Sequence, residues 1–179
     1  MSATWNRLYG NPGTKSRPDP KWQERHLRTM KLPYPMRLAW NTAQTVTTTR
    51  VHYRVQPYLE AALADLYAHV RTEIKAEVGY NKTTAEYDRL TLARLGVLGL
   101  DLFGGVYNHR VMRGGNNLSA HSYAIAIDLD PKHNALGTTG RIAKSQMWVV
   151  DIFKRRGFTW GGNWRRKDGQ HLEFAGFPQ

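Results

Sequence analysis

One segment, residues 123–130, constrains the fold most because its side chains alternate between two characters. The bulky apolar side chains fall on one face of a predicted strand: Ile125, Ile127 and Leu129. The opposite face carries small and acidic side chains: Ala124, Ala126, Asp128 and Asp130. A carboxylate on the face of a sheet needs a partner, since burying an unpaired charge costs several kcal/mol. The alanines leave room for that partner, and a metal ion meets both conditions.

Helical and extended patterns alternate around this strand. Apolar residues recur at steps of three and four between residues 55 and 79, which predicts a helix packed on the core: Leu59, Ala62, Leu63, Leu66, Val70 and Ile74. Further helices are predicted over residues 84–100 and from Thr138 or Thr139 to Gly157. Further strands are predicted at residues 46–53, 106–112, 158–160 and 171–174, with a chain break at Gly104 and Gly105. These patterns predict an α+β fold, a small and mainly antiparallel sheet flanked by helices.

Residues 1–45 are predicted to form an irregular arm packed on a domain of residues 46–179. The prolines and glycines are too dense for a long helix or a central strand: Pro12, Pro18, Pro20, Pro33, Pro35, Gly10 and Gly13. Large apolar side chains such as Trp5, Trp22 and Met36 predict that the arm lies against the domain. No secretory signal peptide is recognisable, and no stretch approaches the roughly 18 to 20 apolar residues of a membrane span.

The formal net charge of +12 predicts a polyanionic partner, which could be nucleic acid, anionic lipid or an anionic cell-wall polymer. Most Lys and Arg residues are scattered along the chain, and the densest clusters are residues 154–156 and 165–167. Neither cluster is a recognised groove-reading motif. We therefore expect no nucleic-acid partner, and a basic nucleic-acid-binding protein is kept as the non-enzymatic alternative.

The histidines near the predicted strand complete a metal-ligand set. His121 lies at the entry to the strand, seven residues before Asp128, and His171 begins the last predicted strand, with Glu173 on its own face. Because the chain has no cysteine, a transition-metal site must use His and carboxylates. Two His and one Asp give a zinc site with an open position for water, which is the arrangement of catalytic zinc. The remaining histidines are interpreted as surface or hydrogen-bonding residues: His26, His52, His69, His109 and His133.

Two motifs carry a resemblance to a known enzyme family. Residues 119–128, Ser-Ala-His-Ser-Tyr-Ala-Ile-Ala-Ile-Asp, resemble the S-x-H-x-x-G-x-A-x-D signature of the zinc D-Ala-D-Ala carboxypeptidase and L-alanyl-D-glutamate endopeptidase family. Residues 168–171, Asp-Gly-Gln-His, are similar to its [D/E]-x-x-H motif, and residues 104–115 resemble the corresponding segment of phage endolysins. The resemblance covers residues 51–174. Ala124 takes the place of the family's Gly, and its methyl group is expected to narrow the cleft beside the metal.

The resemblance implies a role for each site residue. His121, Asp128 and His171 hold Zn²⁺ in a cleft on the sheet, and Asp168 is the general base. Glu173 is the rival base. Second-shell or substrate-binding roles are expected for the following side chains: Ser119, Arg113, Glu173 and Trp160.

The resulting expectation is a monomeric peptidoglycan hydrolase of the phage endolysin type, which cleaves the L-Ala–D-Glu bond of the stem peptide. It would be made in the host cytoplasm and act on the cell wall after release. A D-Ala-D-Ala or L,D-carboxypeptidase acting on the same polymer is the enzymatic alternative, because the metal motifs do not separate the two.

Overall fold

The computed structural model describes residues 2–176, so residues 1 and 177–179, and with them the predicted domain end at residue 179, lie outside the described part. The helices are α1 (Ser2–Tyr9), α2 (Pro20–His26), α3 (Gln56–Val78), α4 (Thr84–Leu98), α5 (Gly140–Ser145) and α6 (Met147–Arg155). The strands are β1 (Leu27–Leu38), β2 (Asn41–His52), β3 (Leu102–Gly105), β4 (Ala126–Leu129), β5 (Phe158–Trp160) and β6 (His171–Phe174). Short 3-10 helices cover Ala120–Tyr123 and Gly161–Asn163.

The strands form one sheet in the order β2-β1-β3-β4-β6-β5. Strands β1 and β3 pair in parallel, and the other neighbouring pairs are antiparallel. Helices flank this sheet, which confirms the predicted α+β class. The β4–β6 pairing places Asp128 opposite His171, and the β3–β4 pairing places Gly105 opposite Asp128. The predicted metal ligands therefore lie near the middle of the sheet.

The predicted apolar stripe of α3 is confirmed as a core face. Its six members are all buried, and Gly79 follows the last residue of the helix. Helix α4 begins with a capping box in which Thr83 and Glu86 satisfy each other's backbone N–H groups. The single helix predicted between residue 138 or 139 and Gly157 is instead two helices, α5 and α6. They are separated at Gln146, whose φ of −134° is not helical.

The prediction of irregular structure for residues 1–45 is wrong for α1, α2 and β1, and its boundary at residue 45 falls within β2. Pro20 occupies the first turn of α2, where a missing N–H costs nothing. Pro33 and Pro35 are exposed and lie where the β1–β2 register shifts, between Lys31 and Met36. The alternation of buried and exposed residues along β1 was the signal for a strand: Leu32, Tyr34, Met36 and Leu38 are buried.

The predicted chain break at Gly104 and Gly105 is also wrong, because both residues belong to β3. A Cβ on Gly104 would lie 2.6 Å from Asp128 Cβ, so glycine is required for β3 to approach β4 this closely. The predicted strand at residues 106–112 is mostly irregular, with one isolated bridge between Val111 and Leu118.

The N-terminal elements share one buried core with the rest of the chain. Trp5, Trp22 and Met36 belong to the same apolar cluster as Ile127 and Phe153. Burial of these large side chains attaches the first 45 residues to the sheet. Among residues 2–176, no helix has the length and apolar character to cross a membrane.

Candidate metal centre and catalytic cleft

Three side-chain donor atoms converge on one point at the β4–β6 pair. His121 Nε2 lies 3.2 Å from Asp128 Oδ1 and 3.2 Å from His171 Nδ1, and His171 Nδ1 lies 2.9 Å from Asp128 Oδ1. Tetrahedral zinc, with ligand distances of about 2.0 to 2.1 Å, separates neighbouring ligand atoms by about 3.3 Å. All three residues are buried. The triangle therefore has the size and donor set of a zinc-binding site.

The ring of His121 is held in the orientation that metal binding requires. Its Nδ1 lies 2.9 Å from the carbonyl oxygen of Val106. An N–H at Nδ1 donates to that oxygen, so the Nε2 lone pair faces Asp128 and His171. A second partner that fixes the tautomer is typical of histidines that ligate metals. The residue immediately after β3 thus determines which nitrogen of His121 is free.

The ring of His171 is held in the same way, but by a side chain. Its Nε2 lies 3.3 Å from Glu173 Oε2, which leaves Nδ1 directed at Asp128. Glu173 is two residues further along β6, and its side chain shares the face of His171 because strand side chains alternate. This contact places Glu173 as a support for a ligand, consistent with the predicted second-shell role.

The ligand cluster is strongly coupled electrostatically. Burial alone raises the pKa of Asp128, but the charges and hydrogen bonds of His121 and His171 outweigh it and hold the pKa well below its usual range. Burial lowers the pKa of His171, but hydrogen bonds to Asp128 and Glu173 and their charges together raise it to about 9. A cationic partner is thus favoured beside the Asp128 carboxylate, whether that is a protonated imidazole or a metal ion.

Asp168 lies in the turn before β6 and faces the same cleft. Its Oδ1 is buried and accepts no hydrogen bond within residues 2–176. Burial raises the pKa of Asp168, and the nearby Asp128 charge adds to this, against a lowering by His171. A buried carboxylate oxygen with no partner is costly, and such groups are concentrated at functional sites. The predicted general base is therefore available for a proton.

The turn that carries Asp168 is fixed by backbone contacts. The N–H of Asp168 donates to the carbonyl of Gly161 at 3.0 Å, and a Cβ on Gly161 would lie 2.6 Å from the Asp168 carbonyl oxygen. The indole Nε1 of Trp160 donates to the carbonyl of Gly169 at 2.7 Å. Trp160 is buried and does not line the cleft that Asp168 faces. Trp160 therefore supports the turn that carries Asp168 without lining the cleft.

Ser119 and Ala124 flank the 3-10 helix that carries His121. The Ser119 hydroxyl accepts a hydrogen bond from the N–H of His121 at 3.3 Å, so this side chain positions the ligand's backbone. Ala124 has a φ of 53°, a left-handed conformation that glycine adopts more easily, which explains the glycine in the family pattern. The Ala124 methyl group is packed in the core and does not line the cleft, so the expected narrowing is not observed.

A cavity of about 180 Å³ adjoins the metal ligands. Its lining combines His171, the acidic residues Asp168 and Glu173, the aromatic Trp164, and three arginines: Arg110, Arg113 and Arg166. Within the described residues, none of these arginines forms an ion pair with a carboxylate. Three cations beside a metal site predict an anionic ligand, because a guanidinium binds carboxylates in a bidentate geometry.

Several cleft residues were not among the predicted site residues. Trp164 lies with its ring 5.2 Å from that of His171, and Arg166 donates to the carbonyl of Arg113. Gln170 also lines the cavity, next to His171 in sequence. The paired tryptophans around Gly161 and Gly162 were a detectable signal for a cleft wall, but the spacing could not show which tryptophan faces it.

Comparison with known proteins gives one finding. A family model described as D-alanyl-D-alanine carboxypeptidase matches residues 113–174. The matched segment holds the three donor residues of the metal site and Asp168. No curated protein matches the chain, and no solved structure does.

Proposed function

We propose that this protein is a zinc-dependent endopeptidase that cleaves the L-Ala–D-Glu bond of the peptidoglycan stem peptide, as a phage endolysin. The observation that carries the proposal is the His121–Asp128–His171 triangle in a cleft that also presents Asp168, whose Oδ1 accepts no hydrogen bond from the described residues. A zinc peptidase needs these two parts together, a metal with an open position and a proton acceptor beside it. The similarity of residues 113–174 to D-alanyl-D-alanine carboxypeptidase supports a peptidoglycan substrate.

The side chains divide the chemistry between them. A bound zinc ion supplies Lewis acidity, which lowers the pKa of water and polarises the scissile carbonyl. Asp168 takes a proton from the attacking water at its free Oδ1 and delivers it to the leaving amine. Val106 and Glu173 keep the rings of His121 and His171 in their ligating orientation throughout the reaction.

Charge accounts for the choice of polymer. The stem peptide carries free carboxylates, and the cavity offers Arg110, Arg113 and Arg166 to bind them. The net charge of +12 draws the whole chain towards the anionic surfaces of the bacterial envelope. We propose that the protein is made in the host cytoplasm, acts on the wall after release, and works as a monomer.

One finding favours a second candidate, a D-Ala-D-Ala or L,D-carboxypeptidase on the same polymer. The matching family model carries the description D-alanyl-D-alanine carboxypeptidase. Such an enzyme uses the same metal and the same base but places the terminal D-Ala at the scissile position. The arginines would then bind the terminal carboxylate of the stem.

Digestion of purified Gram-negative peptidoglycan, analysed by mass spectrometry, separates these candidates. Samples contain the protein as purified, after chelation, and after chelation followed by zinc. The Asp168→Asn variant tests the base, and Asp151→Asn, a change of the same kind at an exposed position, is its control. New N-termini at D-Glu that require zinc and Asp168 support the endopeptidase. Release of D-Ala moves the enzyme to the carboxypeptidase class, and no cleavage with zinc bound overturns both.

A further inference from the structure

Trp40 is a large apolar side chain without a packing role. It is 69 % exposed and lies in the two-residue turn between β1 and β2. Turns of this length favour Asn, Asp and Gly, so turn chemistry does not explain Ala39 and Trp40. The turn is fixed to the sheet, because the N–H of Ala39 donates to the carbonyl of Phe103 at 3.0 Å. The exposed indole is therefore presented at a fixed position beside β3.

The position of Trp40 connects it to the metal site. Trp40 lines a cavity of about 330 Å³ together with Gly104 and the metal-ligand candidate Asp128. This second cavity shares Arg113, Leu136 and Gln170 with the cavity that contains His171 and Asp168. The two cavities therefore adjoin along these three residues as two sides of one cleft, with His171 lining one side and Asp128 the other. Gly104 lines the second cavity with backbone alone, because it has no side chain.

The two sides of this cleft differ in charge and in catalytic groups. Arg110, Arg166 and Asp168 line only the His171 side. The Trp40 side shares Arg113 and otherwise contains Asp128, Ala39, Ala135, Pro131 and the indole. Asp168 protonates the leaving amine in the proposed reaction, so the half of the substrate that begins with D-Glu belongs on the arginine side. That half carries the carboxylates. The half on the other side of the scissile bond, L-Ala and the group attached to it, therefore lies towards Trp40.

We infer that Trp40 binds the N-acetylated amino sugar that bears the stem peptide, and that the protein prefers glycan-attached stems over free stem peptides. This inference rests on the proposed function. L-Ala offers only a methyl group, and beyond it the short lactyl ether leads to the sugar ring. A pyranose has an apolar face that stacks on an indole, which provides the flat apolar surface required. Trp40 is thus a specificity-determining residue that touches the substrate outside the reacting bond.

Kinetics with two matched substrates test the preference. One substrate is the disaccharide-linked stem peptide and the other is the same peptide after an amidase has removed the sugar. The wild-type protein is expected to show a kcat/KM about tenfold higher on the linked stem, a difference of about 1.4 kcal/mol. Trp40→Ala is expected to remove this difference by raising KM for the linked stem, while kcat/KM for the free stem stays unchanged. Trp40→Phe is expected to retain part of the difference. Tyr80→Ala, at a 76 % exposed position between α3 and α4, is the control.

Binding of the peptide-free disaccharide separates this inference from the proposed function. Saturation-transfer NMR is expected to detect binding of N-acetylglucosaminyl-N-acetylmuramic acid to the Asp168→Asn variant. The double variant that also carries Trp40→Ala is expected to show no binding. If that binding is found but neither stem is cleaved, the proposed function fails and the sugar site stands. If the stems are cleaved with equal efficiency, or the preference survives Trp40→Ala, the sugar site is wrong and the proposed function stands.

Discussion

His171 Nε2 lies 3.3 Å from Glu173 Oε2, so a carboxylate two residues along the same strand orients the ring. The other ring nitrogen is consequently the one that reaches Asp128. This geometry explains why Glu173 shares a face with a metal-ligand candidate without itself pointing into the donor triangle. The two carboxylates therefore have different expected roles. Glu173 supports metal affinity, and Asp168 transfers the proton.

Glu173→Ala is expected to lower zinc affinity by about 10-fold to 100-fold, which is the usual effect of removing a carboxylate that supports a ligating histidine. Glu173→Gln retains an acceptor oxygen and is expected to lose less. Competition with a chromophoric chelator measures both affinities. Unchanged zinc affinity in Glu173→Ala, combined with loss of hydrolysis, would instead make Glu173 the general base.

Asp168→Asn is expected to reduce kcat by about 100-fold to 10,000-fold, because the amide cannot accept the proton that a general base takes. Zinc affinity should remain within a few-fold of wild type, since Asp168 is outside the donor triangle. Peptide release assayed at saturating zinc, alongside the metal affinity, tests this separation. Asp151→Asn is the matched control, and a comparable loss of kcat there would show a nonspecific effect. Full activity in Asp168→Asn would contradict the assignment.

Zinc is expected to stabilise the fold through the donor triangle. Free zinc at 100 times its dissociation constant stabilises a protein by about 2.7 kcal/mol, which corresponds to a rise of roughly 5 to 10 °C in Tm for a chain of this size. Asp128→Asn should abolish most of this rise, because it removes the charge that binds the cation. Calorimetry with and without zinc measures it, and His133→Gln serves as a control outside the triangle. A zinc-dependent rise that persists in Asp128→Asn would place the metal elsewhere.

His52 is expected to make stability depend on pH. Its Nδ1 accepts from the N–H of Arg54 at 3.2 Å and its Nε2 donates to the carbonyl of Tyr9 at 3.1 Å, so the ring is held neutral. Burial lowers the pKa of His52 from 6.5 to about 4, with the charges of His26, Arg54 and Arg28 contributing to the lowering. As pH falls, the unfolded state therefore takes up a proton first. The free energy of unfolding should decrease between pH 6.5 and pH 4.

Urea unfolding across this pH range, compared between wild type and His52→Gln, measures the effect. The glutamine variant keeps a donor for Tyr9 and has no titrating ring, so its stability should decrease less on acidification. His69→Gln, at a histidine on the surface of α3, controls for the loss of an exposed ring. Parallel pH profiles for wild type and His52→Gln would show that His52 does not titrate with folding.

Short-range spacing was sufficient to predict much of the fold and of the site. The apolar steps along α3 require one buried helical face, and the alternation around Asp128 requires a strand. The prolines led to a wrong prediction for β1. Proline disrupts strand pairing only at positions where the backbone N–H would donate to a neighbouring strand. Pro33 and Pro35 lie at a register shift, which depends on the partner strand and has no local signature.

The sequence by itself determined the chemistry available to this protein: His and carboxylate ligands without cysteine, and the acidic residue three positions before His171. Only the tertiary structure decided which atoms meet. Strand pairing brings Asp128 against His171 across 43 residues, and the free carbonyl of Val106 selects the ligating nitrogen of His121. Backbone carbonyls are the same in every residue, and cross-strand register depends on the whole sheet. For this reason the ligand types and the neighbouring Glu173 could be predicted from the sequence, whereas the Val106 contact and the position of Trp40 could not.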